Sequence, residues 1–241
     1  MSRRLFFLAL LGTALLACQP NPEGSATRSR TSEVQVAGAM KDVMWKGELA
    51  GKIRLDTLSG RKGLYGLGPK SYLQGELLIL DGRSYVSRVL TDSTMAVEET
   101  YQVSAPFFVY GNVEAWEAID LPGRIQSIED LEHFLDERTR HQPRPFAFKL
   151  TGQIRNADIH IQNLPEGATV SSPAEAHQGQ TAYALGPAEV DIVGFFSTEH
   201  QGIFTHHDTY LHMHLISRDR TRMGHLDRVT FDRMRLYLPK G

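Results

Sequence analysis

The sequence predicts a β-dominated α+β fold. Three observations carry this prediction: a strong hairpin signal at Asp81-Gly82, a series of further strand-like runs down the chain, and only two stretches with helical character. In residues 72–90, "YLQGELLILDGRSYVSRVL", two apolar-rich runs flank Asp81-Gly82, and glycine accepts the positive φ that a two-residue turn needs. Further strands are expected at 105–111, 145–152, 157–161, 190–197, 209–217 and 228–238. The clearest helix is Ile128 to Arg138, with Ser127 as N-cap, Asp130 three residues on, and Ile128, Leu131 and Leu135 on one face. A second helix is expected between Lys41 and Lys52. Pro143 or Pro145 marks a junction between two halves.

The N-terminus reads separately. Residues 1–17 have a basic start, Arg3-Arg4, and an apolar run from Leu5 to Leu16, which is the pattern of an export signal. The run is too short to span a hydrocarbon core of about 30 Å comfortably. Leu15-Leu16-Ala17-Cys18 resembles the lipobox of bacterial lipoproteins, so Cys18 is expected to carry a lipid anchor that holds the protein at a membrane after export. Ser2-Arg3-Arg4-Leu5-Phe6 also approaches the twin-arginine export pattern. Cys18 is the only cysteine, which excludes an intramolecular disulfide. Residues 18–39 are polar and read as a flexible tether, leaving 40–241 as the folded body.

Composition bounds the function. With 241 residues, 41% hydrophobic and 22% charged, the chain can build a real core. A net charge of −2, with no basic stripe interleaved with aromatics, argues against nucleic acid as a partner. Exposed β-edges allow a homodimer.

The chemistry concentrates in 209–227, "TYLHMHLISRDRTRMGHLD". In a strand His212 and His214 project to one face, and Leu211, Met213 and Leu215 to the other. A return through the charged segment 217–224 brings His225 beside His214 on the next strand. Three neutral imidazoles from two strands can hold tetrahedral Zn2+ with its fourth position open, as catalytic zinc sites do. An isolated His-x-His pair is as often surface or core, but His200, His206 and His207 lie just upstream, with His206 and His207 expected at the rim of the site. A cupin site is disfavoured because no glutamate follows His214 at short spacing. Glu76 is the second unusual residue, sharing a strand face with Leu78 and Leu80, where a carboxylate is costly unless it is paired or used. The plainer reading is a strand-edge glutamate reaching water.

Taken in order, Gly-Leu-Gly at 66–68, Leu73-Gln74-Gly75-Glu76 ending in Asp81-Gly82, "APFFVYG", "GFFSTEHQGI", and His-x-His followed after ten residues by His225-Leu226-Asp227 resemble α-acetolactate decarboxylase over most of the body. The resemblance implies two β-rich subdomains sharing extended mixed or antiparallel sheet with few helices, and a metal in the cleft between them. It implies His212, His214 and His225 as zinc ligands and Glu76 as the active-site carboxylate. The implied reaction is decarboxylation of 2-acetolactate, a 2-hydroxy-3-keto acid, to acetoin, with zinc stabilising the enediolate left by CO₂. The metal then serves as electron sink in place of an organic cofactor.

Three departures stand against this likeness. Pro69 replaces a threonine. The positions aligning with an active-site arginine are His160 or Gln162, which leaves His160, Arg155 and Arg218 as candidates for binding the substrate. No acidic residue follows Asp232, where the family's C-terminal tail supplies a glutamate. Two rival functions therefore stay open on the same histidines: a zinc hydrolase, and a non-catalytic zinc-binding lipoprotein.

Overall fold

The computed structural model describes residues 33–58 and 62–240. The export signal, Cys18 and most of the tether lie outside the described residues. Among the described residues no helix is long and apolar enough to cross a membrane.

In chain order the strands are β1 (Gln35–Ala37), β2 (Ile53–Arg54), β3 (Leu64–Pro69), β4 (Glu76–Leu80), β5 (Arg83–Thr91), β6 (Thr94–Glu99), β7 (Ser104–Ala105), β8 (Phe108–Asn112) and β9 (Trp116–Asp120). Then follow β10 (Phe146–Ile161), β11 (Thr181–Leu185), β12 (Ala188–Phe196), β13 (Leu211–Ser217) and β14 (Met223–Pro239). The α-helices are α1 (Met40–Lys46), α2 (Ile128–Arg138) and α3 (Pro173–Ala176). The β-dominated α+β class is thus as expected.

One six-stranded sheet has the order β1-β8-β3-β4-β5-β6, and β2 with β7 forms a small annex. The other has the order β11-β10-β12-β13-β14-β9, and β10 also pairs with β14, so this sheet closes on itself. All these strand pairings are antiparallel. A core of Phe148, Ile192, Leu215 and Phe231 fills the closed sheet. The two sheets meet through a shared apolar cluster, with Tyr65, Leu67, Leu78 and Tyr85 from the first against Val193, Phe195, Ile216 and Met223 from the second. Burying such side chains stabilises the fold by roughly 1.5–3 kcal/mol each.

Several elements follow their local chemistry. Asp81 and Gly82 both take positive φ, 49° and 77°, as the β4–β5 hairpin requires. Helix α2 starts on a capping box: Asp130 N–H donates to Ser127 Oγ at 3.1 Å, and Ser127 N–H donates to Asp130 Oδ2 at 3.1 Å. Its Leu131 and Leu135 are buried.

The structure corrects four expectations. The folded body begins before Met40, because β1 pairs with the edge of β8 within the stretch read as tether. Helix α1 stops at Lys46 rather than near Lys52, since Gly47 takes the left-handed conformation that ends helices. The runs at 145–152 and 157–161 are one strand, β10, whose register against β14 shifts at three points. Such bulges let a long strand coil around a closed sheet. The junction between the halves is not at Pro143 or Pro145 but between β8 and β9, because β9 already pairs with β14.

Candidate metal centre

The histidines are assembled by register. Along β13, His212 and His214 share one face. Directly across from His214 on β14 lies His225, and directly across from His225 on β10 lies His160. A row of three imidazoles therefore crosses three neighbouring strands, with His212 one step further along β13.

One ring nitrogen from each of His212, His214 and His225 lies within 4.8 Å of the others. Their ring centroids are 5.0–5.6 Å apart. Burial pushes the pKa of all three below the ordinary 6.5, reinforced by the neighbouring histidines, and that of His214 falls to about 3. The backbones of Phe204 and Leu77 oppose the shift at His212 and His214 without making a well-formed hydrogen bond to either ring. The rings are accordingly neutral, with lone pairs free. His212 Nδ1 and both nitrogens of His214 are buried without a hydrogen-bond partner. Orphaned polar atoms of this kind are rare in native folds, and a cation held by the three rings would take up one nitrogen of each. The set fits a three-histidine zinc site with an open fourth position.

Glu76 comes from the opposite sheet. It is 3% exposed, with Oε2 at 3.6 Å from His214 Nε2 and Oε1 accepting the Gln162 N–H at 3.2 Å. Burial raises its pKa well above the usual carboxylate range, against the Gln162 hydrogen bond and with help from the charge of Asp227. The strand-edge reading of Glu76 is thereby excluded.

His160 sits beside this cluster, its ring centroid 4.6 Å from that of His225. Its Nδ1 lies 2.7 and 2.9 Å from the two oxygens of Asp227, and its Nε2 is 3.5 Å from Gln162 Nε2. His160, His225 and Asp227 also converge closely enough to hold an ion, but Asp227 and His160 Nδ1 already satisfy each other. We therefore read them as a hydrogen-bonded dyad. Sequence reasoning passed over Asp227, although His225-Leu226-Asp227 was in view. It is the extra residue of a bulge between Leu226 and Arg228, and that bulge turns its carboxylate toward His160.

A cleft of about 330 Å³ opens on His225 and Asp227, with His206, Asp208, Glu132 and Met213 among its walls. His206 lies 5.6 Å from His225, ring to ring, and takes the rim position expected of it. His207 is exposed and gives only its carbonyl to Gln201 Nε2, at 2.8 Å. His200 is turned to Ser197 Oγ, at 2.8 Å.

The two arginine candidates are not brought to the cluster. Arg155 is 59% exposed, protrudes where the β10–β14 register shifts, and faces Asp232 at 3.5 Å. Arg218 is 68% exposed in the turn after β13 and reaches Asp191 at 4.0 Å. Arg155 belongs to a surface ion pair, and Arg218 stays exposed beside a buried aspartate that Arg220 already holds at 2.7 Å, so neither is drawn to the histidines.

The comparisons with known proteins agree with this fold. The profile of the alpha-acetolactate decarboxylase family matches residues 37–240. The alpha-acetolactate decarboxylase of Lactococcus lactis subsp. lactis is 26% identical over 192 residues, covering 79% of this chain and 73% of that protein. That of Methanosarcina mazei is 23% identical over 220 residues, covering 85% and 73%. Among solved structures, alpha-acetolactate decarboxylase from Bacillus subtilis strain 168 superposes with a TM-score of 0.69 at 21% identity over 86% of each chain. A Staphylococcus aureus protein described as similar to alpha-acetolactate decarboxylase gives 0.72 at 18% identity, over 85% of this chain and 84% of that one. Those structures share the fold, and the profile match over nearly the whole described body settles the kinship: the chain belongs to the alpha-acetolactate decarboxylase family of carboxy-lyases.

Proposed function

We propose that the protein decarboxylates 2-acetolactate to acetoin with zinc held by His212, His214 and His225. One observation carries this reading: a buried carboxyl faces His214 across the gap between two sheets, within a cluster of three neutral imidazoles of which His212 and His214 are buried with ring nitrogens that have no hydrogen-bond partner. Zinc, when bound, supplies the Lewis acid that stabilises charge left by loss of CO₂.

The chain's own groups do the rest. Burial keeps the imidazoles neutral and able to ligate at ordinary pH. The Gln162 N–H fixes one oxygen of Glu76, so that the other faces His214. Held protonated by burial, Glu76 gives its proton to the carbon that has lost CO₂, which completes acetoin. His160, fixed by Asp227, is the remaining group for the substrate carboxylate, because Arg155 and Arg218 point elsewhere.

The reading is tested with purified protein carrying one equivalent of zinc, with His212→Ala as control and acetoin followed by chromatography. Acetoin above the spontaneous rate, absent in the control, is expected. Zinc retained with hydrolysis of activated esters and no acetoin would replace the decarboxylase with the hydrolase. Zinc retained with neither activity would leave a binding protein.

We place the protein outside the cytoplasm, exported through residues 1–17 and anchored at Cys18. Cys18→Ala is expected to move it from the membrane to the soluble fraction of fractionated cells. Undiminished membrane association of that variant would rule the anchor out.

A further inference from the structure

We infer that Ser87 is a substrate-binding residue, its hydroxyl donating to an oxygen of the 2-hydroxy-3-keto acid beside Glu76. This inference rests on the decarboxylase reading and extends it to a residue that neither motif nor spacing singled out.

The placement comes from register. Glu76 has one cross-strand partner on each side, Pro69 on β3 and Ser87 on β5. Directly opposed residues of an antiparallel pair point to the same face, with Cβ atoms about 4.5–5.5 Å apart. Ser87 therefore projects with Glu76 into the space between the sheets, as Tyr85 does two residues earlier from the same strand face. Val86, between them, points to the outer cluster with Leu77 and Phe108.

Ser87 is fully buried, and its Oγ has no hydrogen-bond partner. An unsatisfied buried hydroxyl destabilises a fold, and an alanine of nearly the same shape would avoid that cost. A serine at such a position, directly across from the buried carboxyl of the site, is free to find its partner in the ligand. Pro69, on the other flank, has no donor to offer, and the amide of Gln162 is already used by Glu76. Ser87 thus carries an unengaged hydroxyl directly across from Glu76, whereas the likewise unpartnered hydroxyl of Tyr85 lies further along the same face. An interaction of this type, made alike with substrate and transition state, acts on KM and leaves kcat nearly unchanged.

The test is Ser87→Ala in the zinc-loaded protein. Zinc content, melting temperature, kcat and KM for acetolactate are measured, together with calorimetric binding of the unreactive dihydroxy acid obtained by reducing acetolactate's ketone. Unchanged zinc, an equal or higher melting temperature, and an about five- to tenfold rise in KM and in the Kd of the dihydroxy acid are expected, the worth of one neutral hydrogen bond. Wild-type KM and Kd in the variant would overturn the inference. So would a clear drop in melting temperature, because the hydroxyl would then be holding the fold together. Failure of the parent reading looks different: the wild-type protein itself would make no acetoin, whereas the binding comparison between wild type and Ser87→Ala would still report on Ser87.

Discussion

Replacing Glu76 by glutamine is expected to lower kcat for acetoin formation by about 10²–10⁴-fold, the usual worth of a positioned acid or base. The substitution is nearly isosteric. A glutamine carbonyl can still accept the Gln162 N–H that Oε1 accepts at 3.2 Å, so the side chain keeps its pose and loses only its transferable proton. Zinc content is expected to stay at the wild-type level, because the three imidazoles are untouched. The melting temperature should hold or rise, since a carboxyl 3% exposed is expensive to bury and its neutral amide is less so. Steady-state kinetics beside metal analysis decide the matter. A variant with full kcat would remove Glu76 from the reaction, and one that loses zinc would make it part of the metal's support instead.

The metal-free protein is expected to be acid-labile, and zinc is expected to protect it. Burial holds His214 at about 3, with His212 and His225 also shifted well below 6.5. The unfolded chain takes up protons near pH 6.5 that the folded chain refuses, so the stability contributed by the neutral rings is complete above pH 6.5. That stability is lost as pH falls toward about 3, at a limiting slope of about 1.4 kcal/mol per pH unit for each histidine. A ligand that binds only the folded state opposes the loss, by about 2.7 kcal/mol at one hundred times its Kd. Denaturation followed by circular dichroism between pH 7 and 4, with and without stoichiometric zinc, should therefore give two displaced curves, the zinc curve at lower pH. His214→Ala is expected to collapse the separation. Superimposed curves for the wild-type protein would mean that the imidazoles are not the zinc site.

Much of this centre was legible because strand periodicity is a local property. His212 and His214 share a face in any register, and an apolar strand around Glu76 marks that carboxyl as unusual wherever the strand is placed. Helix α2 was readable residue by residue, since its cap and its apolar face are both encoded within eleven residues. The errors fell where distant backbone decides. The end of α1 depends on one glycine's conformation. The single course of β10 depends on bulges against β14, and the location of the junction depends on β9 pairing with a strand more than a hundred residues away. Arg155 and Arg218 were candidates by charge alone, and the fold turns one to the part-exposed Asp232 and leaves the other exposed beside the buried Asp191.

The sequence by itself determined the fold class, the shared face of His212 and His214 and the unusual carboxyl at Glu76, because each follows from side-chain type and a period of two. Only the tertiary structure decided what faces them. Cross-strand register set His160 against His225 and Ser87 against Glu76, and a bulge aimed Asp227 at His160. Register and bulges arise from hydrogen bonding between strands far apart in the chain, so a short window of sequence does not contain them.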